Sequence, residues 1–205
     1  MKISLLGDSI RLQYAPVVAE LLGEDFEIFA PSTNCRFAKY TLRGLFDWRA
    51  DMDGSRIVHW NNGLWDCCDL FGDGLFTSEQ EYIDNMLRIA DILTSRYDAV
   101  IFATTTPVSV ENKYNSNGDI KRYNDRLVPL LRERGIMIND LYSAVICDLD
   151  RYISDDKIHM SEEGIKLCAE MTAKSILDAK AALKDAPGKR SAQVAEEDGA
   201  PVIFE

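Results

Sequence analysis

Three observations predict an α/β chain built on a central parallel sheet. Short apolar runs alternate with longer segments of helical period, the pattern of a sheet covered by helices on both faces. Hydrophobic residues make up 46% and charged residues 28% of the 205 residues, as in a soluble globular domain large enough to bury a full core. No internal repeat is present, and no apolar run approaches the roughly 18 residues that span a bilayer.

The elements follow in order. A first strand over 2–6 is closed by Gly7. A helix over 11–22 carries Leu12, Val17, Val18, Leu21 and Leu22, with Pro16 weakening its first half. A second strand over 26–30 stops at Pro31, and a third over 56–60 ends in Asn61-Asn62-Gly63. Ser78 is an N-cap with Glu81 three residues on, as in a capping box. The helix after it places Tyr82, Ile83, Met86, Leu87, Ile89, Ala90 and Leu93 at a period near 3.6. A fourth strand covers 99–103. A helix over 120–134 stops at Gly135, and a short fifth strand covers 136–138. Ser161 opens a last helix through Ile165, Leu167, Cys168, Met171, Ile176 and Leu177.

Five strands in this alternation suit a three-layer α/β/α sandwich of the flavodoxin-like kind, with functional groups gathered beyond the carboxyl ends of the strands. The predicted domain covers 1–185. From about Ala186 the chain is rich in Ala, Gly, Pro and charge without periodicity, and 186–205 reads as a mostly disordered tail. Its apolar Val202-Ile203-Phe204 either docks on a surface or belongs to a loose terminus.

Charge and cysteine usage narrow the function classes. The net charge of −11 argues against nucleic-acid and anionic-membrane partners, which need a basic face. The N-terminus lacks the apolar core of a signal peptide, and five scattered cysteines (Cys35, Cys67, Cys68, Cys147, Cys168) fit reduced thiols; both point to the cytoplasm. Adjacent Cys67-Cys68 lacks zinc-site spacing, and Asp51-Met52-Asp53-Gly54 lacks the remaining ligands of a calcium loop.

Only two histidines occur. His59, inside the third strand, reads as a packed core residue. His159 lies just before the last helix with Asp156 three residues earlier. In a tight turn that spacing brings the carboxylate to one imidazole nitrogen and leaves the other to take a proton from a nucleophile. Otherwise it is a polar surface turn. Ser9 stands directly after the first strand, at a helix N-terminus whose N–H groups can stabilise an oxyanion. Otherwise Asp8 or Ser9 merely caps that helix. Trp60, Trp65, Phe71 and Phe76 either line an acyl or sugar pocket or belong to the core.

Taken together, Gly7-Asp8-Ser9 near the N-terminus, an Asn-rich turn after the third strand and Asp156-x-x-His159 before the last helix resemble the GDSL/SGNH hydrolases. The resemblance covers the chain up to the tail. It implies the SGNH hydrolase fold, Ser9 as nucleophile, His159 as general base and Asp156 as its orienting partner. It also implies oxyanion donors from the Ser9 N–H, from Asn61 or Asn62 in an Asn-x-Gly-x-x-Asp variant of the third block, and from a second-block N–H. The second block here, Pro31-Ser32-Thr33-Asn34-Cys35-Arg36, has no glycine, so that donor falls to Cys35 or Arg36. Arg36 is alternatively a substrate contact or a solvated surface arginine. The implied activity is ester hydrolysis through an acyl-enzyme, without metal or organic cofactor, on a small-molecule ester. An O-acetylated carbohydrate or other acetylated metabolite comes first. A lysophospholipase or acyl-CoA thioesterase is the alternative. Acyl transfer uses the same residues, and a non-catalytic sugar-binding module is the competing class.

Overall fold

In the computed structural model, which describes residues 1–183, the sheet has five parallel strands: β1 (Lys2–Leu6), β2 (Glu27–Phe29), β3 (Ile57–Trp60), β4 (Ala99–Ala103) and β5 (Met137–Asn139). Their spatial order is β2-β1-β3-β4-β5, all in parallel register, with Leu6 opposite Trp60 and Trp60 opposite Phe102. The predicted α/β/α sandwich is the observed one. The predicted tail, 186–205, lies outside the described residues. No described helix is long and apolar enough to cross a membrane.

Among the described residues seven α-helices cover the sheet: α1 (Ser9–Leu22), α2 (Ala38–Asp47), α3 (Glu79–Arg96), α4 (Asn117–Glu133), α5 (Leu141–Ile146), α6 (Leu149–Tyr152) and α7 (Glu162–Ala182). α1 packs on α7 at one face, while α2, α3 and α4 pack in sequence at the other. The inner strands β1, β3 and β4 bury almost every side chain, since the centre of a parallel sheet faces helices on both sides, whereas the edge strands β2 and β5 stay largely half-buried. Trp60 is fully buried with its ring centroid 4.9 Å from that of Phe102, so of the four aromatics left open it belongs to the core.

Several boundaries differ from the sequence pattern. α1 begins at Ser9 because the Asp8 carboxylate caps it, accepting the Ile10 N–H. Pro16 and Pro129 lie inside α1 and α4, tolerated because buried faces of both helices hold them to the fold. The Ser78 hydroxyl caps α3 as predicted, but Glu81 does not close the box: its carboxylate pairs with Lys39 at 3.2 Å. All five cysteines are free thiols. His59 is buried, held by the Asn139 amide at 3.1 Å, and burial pushes its pKa down to about 3.

The order in which strands are added reverses at the β1–β3 pair, because β2 lies on one side of β1 and every later strand on the other. That switch point opens a crevice at the carboxyl ends of β1 and β3. Gly7-Asp8-Ser9 and Asn61-Asn62-Gly63 emerge there.

Candidate functional site

Ser9 is the first residue of α1, and His159 sits 150 residues later in a turn just before α7. The turn is narrow by construction. An antiparallel bridge pairs Ile153 with Met160, the Ser154 N–H donates to the His159 carbonyl at 2.8 Å, and the Lys157 N–H donates to the Ser154 carbonyl at 3.0 Å. Lys157 takes φ +73°, a left-handed conformation that favours glycine. This folding brings Asp156 back onto His159.

The result is a continuous relay. His159 Nε2 lies 2.8 Å from Ser9 Oγ, and His159 Nδ1 lies 2.7 Å from Asp156 Oδ2. An ionised carboxylate only accepts, so Nδ1 carries the proton and Nε2 of the neutral ring accepts from the Ser9 hydroxyl. The other Asp156 oxygen accepts from the Ile158 N–H (3.0 Å), the His159 N–H (2.8 Å) and the Ser154 hydroxyl (2.9 Å). Burial alone would raise the Asp156 pKa. The His159 and Ile158 N–H groups, the His159 ring and the Ser154 hydroxyl outweigh it and hold the carboxyl well below its usual range. The carboxylate therefore stays ionised wherever the imidazole is neutral.

The turn that carries Ser9 is tightly packed. A methyl group at Gly7 would lie 1.9 Å from Asn61 Oδ1, so the third-block side chain sits directly on the glycine. Asn61 Nδ2 donates to Asp8 Oδ1 at 3.0 Å, which leaves its second N–H. Asn62 is wholly buried and its Nδ2 donates to the Arg36 carbonyl at 2.9 Å. The Arg11 guanidinium, also buried, donates to the carbonyls of Gly7 (3.2 Å), Pro31 (2.8 Å) and Thr33 (2.9 Å). It thus ties the second block to the serine turn.

In the second block, the Arg36 N–H donates to Asn34 Oδ1 at 2.7 Å and the Cys35 N–H to the Gly7 carbonyl at 3.0 Å. The Arg36 side chain is exposed and lies over the Tyr40 ring, 5.0 Å from its centroid. Its backbone, at φ +51°, keeps the left-handed conformation that suits glycine. Trp65, inside the third block, and Phe71 and Phe76, on the loop after it, are exposed, with the Phe76 ring tilted against that of Phe37 at a centroid distance of 5.3 Å.

Sequence reading passed over two residues that shape this site. Gln13 lies one helical turn after Ser9 and bonds the backbone of Met160, next to His159. The i, i+4 spacing from Ser9 was the available signal. Asp66, the last residue of the third block, accepts the Ala38 N–H with both oxygens, at 3.0 and 3.2 Å. It serves α2, whose own N-cap residue, Phe37, supplies no side-chain bond. Burial raises the Asp66 pKa to about 7, against the lowering effect of the Ala38 N–H and Thr77.

The Asp66 shift has a sign that stability measurements will read. Between about pH 4 and pH 7 the unfolded chain has lost this proton while the folded chain keeps it, so ionisation of Asp66 destabilises the fold as pH rises. Asp66→Asn is expected to gain stability relative to wild type across that window, by about 4 kcal/mol at most, and to keep a constant difference above it. Urea denaturation of both proteins from pH 4 to 8 checks this.

The chain is similar in structure to a lipase/acylhydrolase from Enterococcus faecalis (TM-score 0.70, 18% identity, 85% of this chain and 94% of that one). It is also similar to a member of the lipolytic protein G-D-S-L family from Veillonella parvula (0.71, 15%, 86% and 98%) and to an acetylxylan esterase from Geobacillus stearothermophilus (0.67, 14%, 87% and 93%). In sequence it is 31% identical over 106 residues to the rice (Oryza sativa subsp. japonica) GDSL esterase/lipase WDL1, a match covering 44% of this chain. The chain spans about two fifths of that relative's length, 41%. No family model matches. With its serine after β1 and its histidine before α7, the chain shares the fold of these lipase, acylhydrolase and esterase structures.

Proposed function

We propose that the chain is a serine esterase that removes O-acetyl groups from a carbohydrate or another small acetylated metabolite through an acyl-enzyme. The carrying observation is the relay itself, Ser9 Oγ to His159 Nε2 at 2.8 Å and His159 Nδ1 to Asp156 Oδ2 at 2.7 Å. In this reading His159 takes the Ser9 proton as Oγ attacks the ester carbonyl, and Asp156 stabilises the imidazolium. The imidazolium then protonates the departing alkoxide. Water, deprotonated by the same ring, attacks the acyl-enzyme and releases the acid with Ser9 restored.

The oxyanion falls to the Ser9 N–H, at the positive end of α1, and to the second N–H of Asn61. Asn61 is favoured over Asn62 because it lies against Gly7 and keeps 6% of its surface exposed, whereas Asn62 keeps none. Asn61→Ala is expected to lower kcat roughly 10²–10³-fold and Asn62→Ala much less. Equal, small effects in steady-state kinetics would remove the third block from the hole.

The acetyl preference draws on likeness to acetylxylan esterases in structure. A second reading, a longer-chain acyl ester or thioester, is favoured by Leu70, Phe71 and Phe76, which are 45%, 84% and 52% exposed beside the third block. Rates on p-nitrophenyl acetate, butyrate and octanoate separate the two: an acetyl site excludes long chains by overpacking, while the apolar loop would favour them.

A further inference from the structure

His159 must meet Ser9 across a gap of 150 residues, and the turn that carries it is stretched into a left-handed residue at Lys157. Two side chains outside the relay hold that turn. On one flank, Gln13 of α1 forms a two-point bond to Met160: its Oε1 accepts the Met160 N–H at 3.0 Å and its Nε2 donates to the Met160 carbonyl at 3.3 Å. Gln13 stands four residues after Ser9, on the same helix face. The nucleophile and the holder of the base thus share one rigid element.

On the other flank, the Lys157 carbonyl accepts the Ser109 N–H at 3.1 Å and Asn112 Nδ2 at 3.2 Å. Asn112 is itself fixed, its Oδ1 accepting the N–H groups of Tyr114 (2.9 Å) and Asn115 (2.8 Å). Asn115 in turn donates through Nδ2 to the Leu64 carbonyl at 2.8 Å, in the third-block loop. The exposed Lys157–Glu111 ion pair at 2.7 Å adds little.

We propose that Gln13 and Asn112 are positioning residues that clamp the acid–base turn from both sides, setting His159 on Ser9 and linking its turn to the third-block loop. The proposal rests on Ser9 and His159 acting as described above. An ordered turn is needed because a base displaced by about 1 Å costs up to roughly 10²-fold in rate. Neither residue touches Ser9, so their loss acts through His159.

The test compares wild type, Gln13→Ala, Asn112→Ala and Ser9→Ala in p-nitrophenyl acetate hydrolysis, with the proton spectrum of each. The expected result is a roughly 10–100-fold fall in kcat for each clamp variant. KM should stay within about twofold, because substrate binding is untouched. The downfield signal of the His159 Nδ1 proton bonded to Asp156 should shift or broaden in both. Lys157→Gly in the Asn112→Ala background should recover part of the rate, since glycine holds the left-handed turn without strain. Should an alanine variant fail to fold, Asn112→Asp and Gln13→Glu keep the acceptor bonds and replace each donor with a carboxylate oxygen that repels the Lys157 or Met160 carbonyl, so the same fall in kcat is expected. Wild-type kcat and an unchanged His159 signal in the clamp variants, with Ser9→Ala inactive, would overturn the clamp alone. Activity surviving in Ser9→Ala would instead overturn the esterase reading beneath it.

Discussion

Ser9→Ala is expected to lower kcat on an acetyl ester roughly 10⁶-fold, the largest loss any single substitution here should cause. In the proposed mechanism the hydroxyl is the one group that bonds to the acyl carbon, and it lies 2.8 Å from His159 Nε2. Alanine keeps the backbone N–H at the start of α1 and disturbs no other bond, because Asp8 rather than Ser9 caps that helix. Stability should therefore stay near wild type, and residual rate over water should reflect binding and the oxyanion donors. Steady-state hydrolysis together with a melting curve checks both halves.

Asp156→Asn is expected to cost roughly 10⁴-fold in kcat, for a reason of protonation rather than shape. The asparagine oxygen can still accept from the Ile158 and His159 N–H groups, so the turn persists. Its amide nitrogen, however, would face His159 Nδ1, which must then present a lone pair. The ring proton moves to Nε2 and points at Ser9, and the base is lost with the geometry intact. A kcat measured from pH 5 to 9 should stay low throughout. Recovery at high pH would mean that a lost charge, not a wrong tautomer, explains the defect.

Much of this was legible in the residues because it depends on local spacing. Gly7-Asp8-Ser9 after an apolar run and Asp156-x-x-His159 before a capped helix each require only a few neighbouring positions. The same holds for β1, β3 and β4, whose apolar runs are buried on both faces, and for His59, which sits within β3. α5 and α6, six and four residues long, are too short to show a helical period, and α2 lacks a capping residue at its start. α2 in particular starts at a Phe37 that cannot cap it, and its N-terminus is completed by Asp66 from a distant loop. The bonds of the second block were hidden for a similar reason: that the Cys35 and Arg36 N–H groups meet Gly7 and Asn34 is a matter of tertiary fit and of an Asn side chain folding back on its own backbone. Gln13 and Asn112 escaped notice because their partners lie 147 and 45 residues away.

The most direct test of the central claim is to trap the covalent intermediate. Wild type, Ser9→Ala and His159→Ala would be treated with p-nitrophenyl acetate or a fluorophosphonate, quenched in acid, and their peptides mapped by mass. An acyl or phosphonyl group on the peptide carrying Ser9 is predicted in wild type, with none in Ser9→Ala and greatly slowed labelling in His159→Ala. Turnover accompanied by a label on another residue, or labelling of Ser9 at the wild-type rate without His159, would contradict the account.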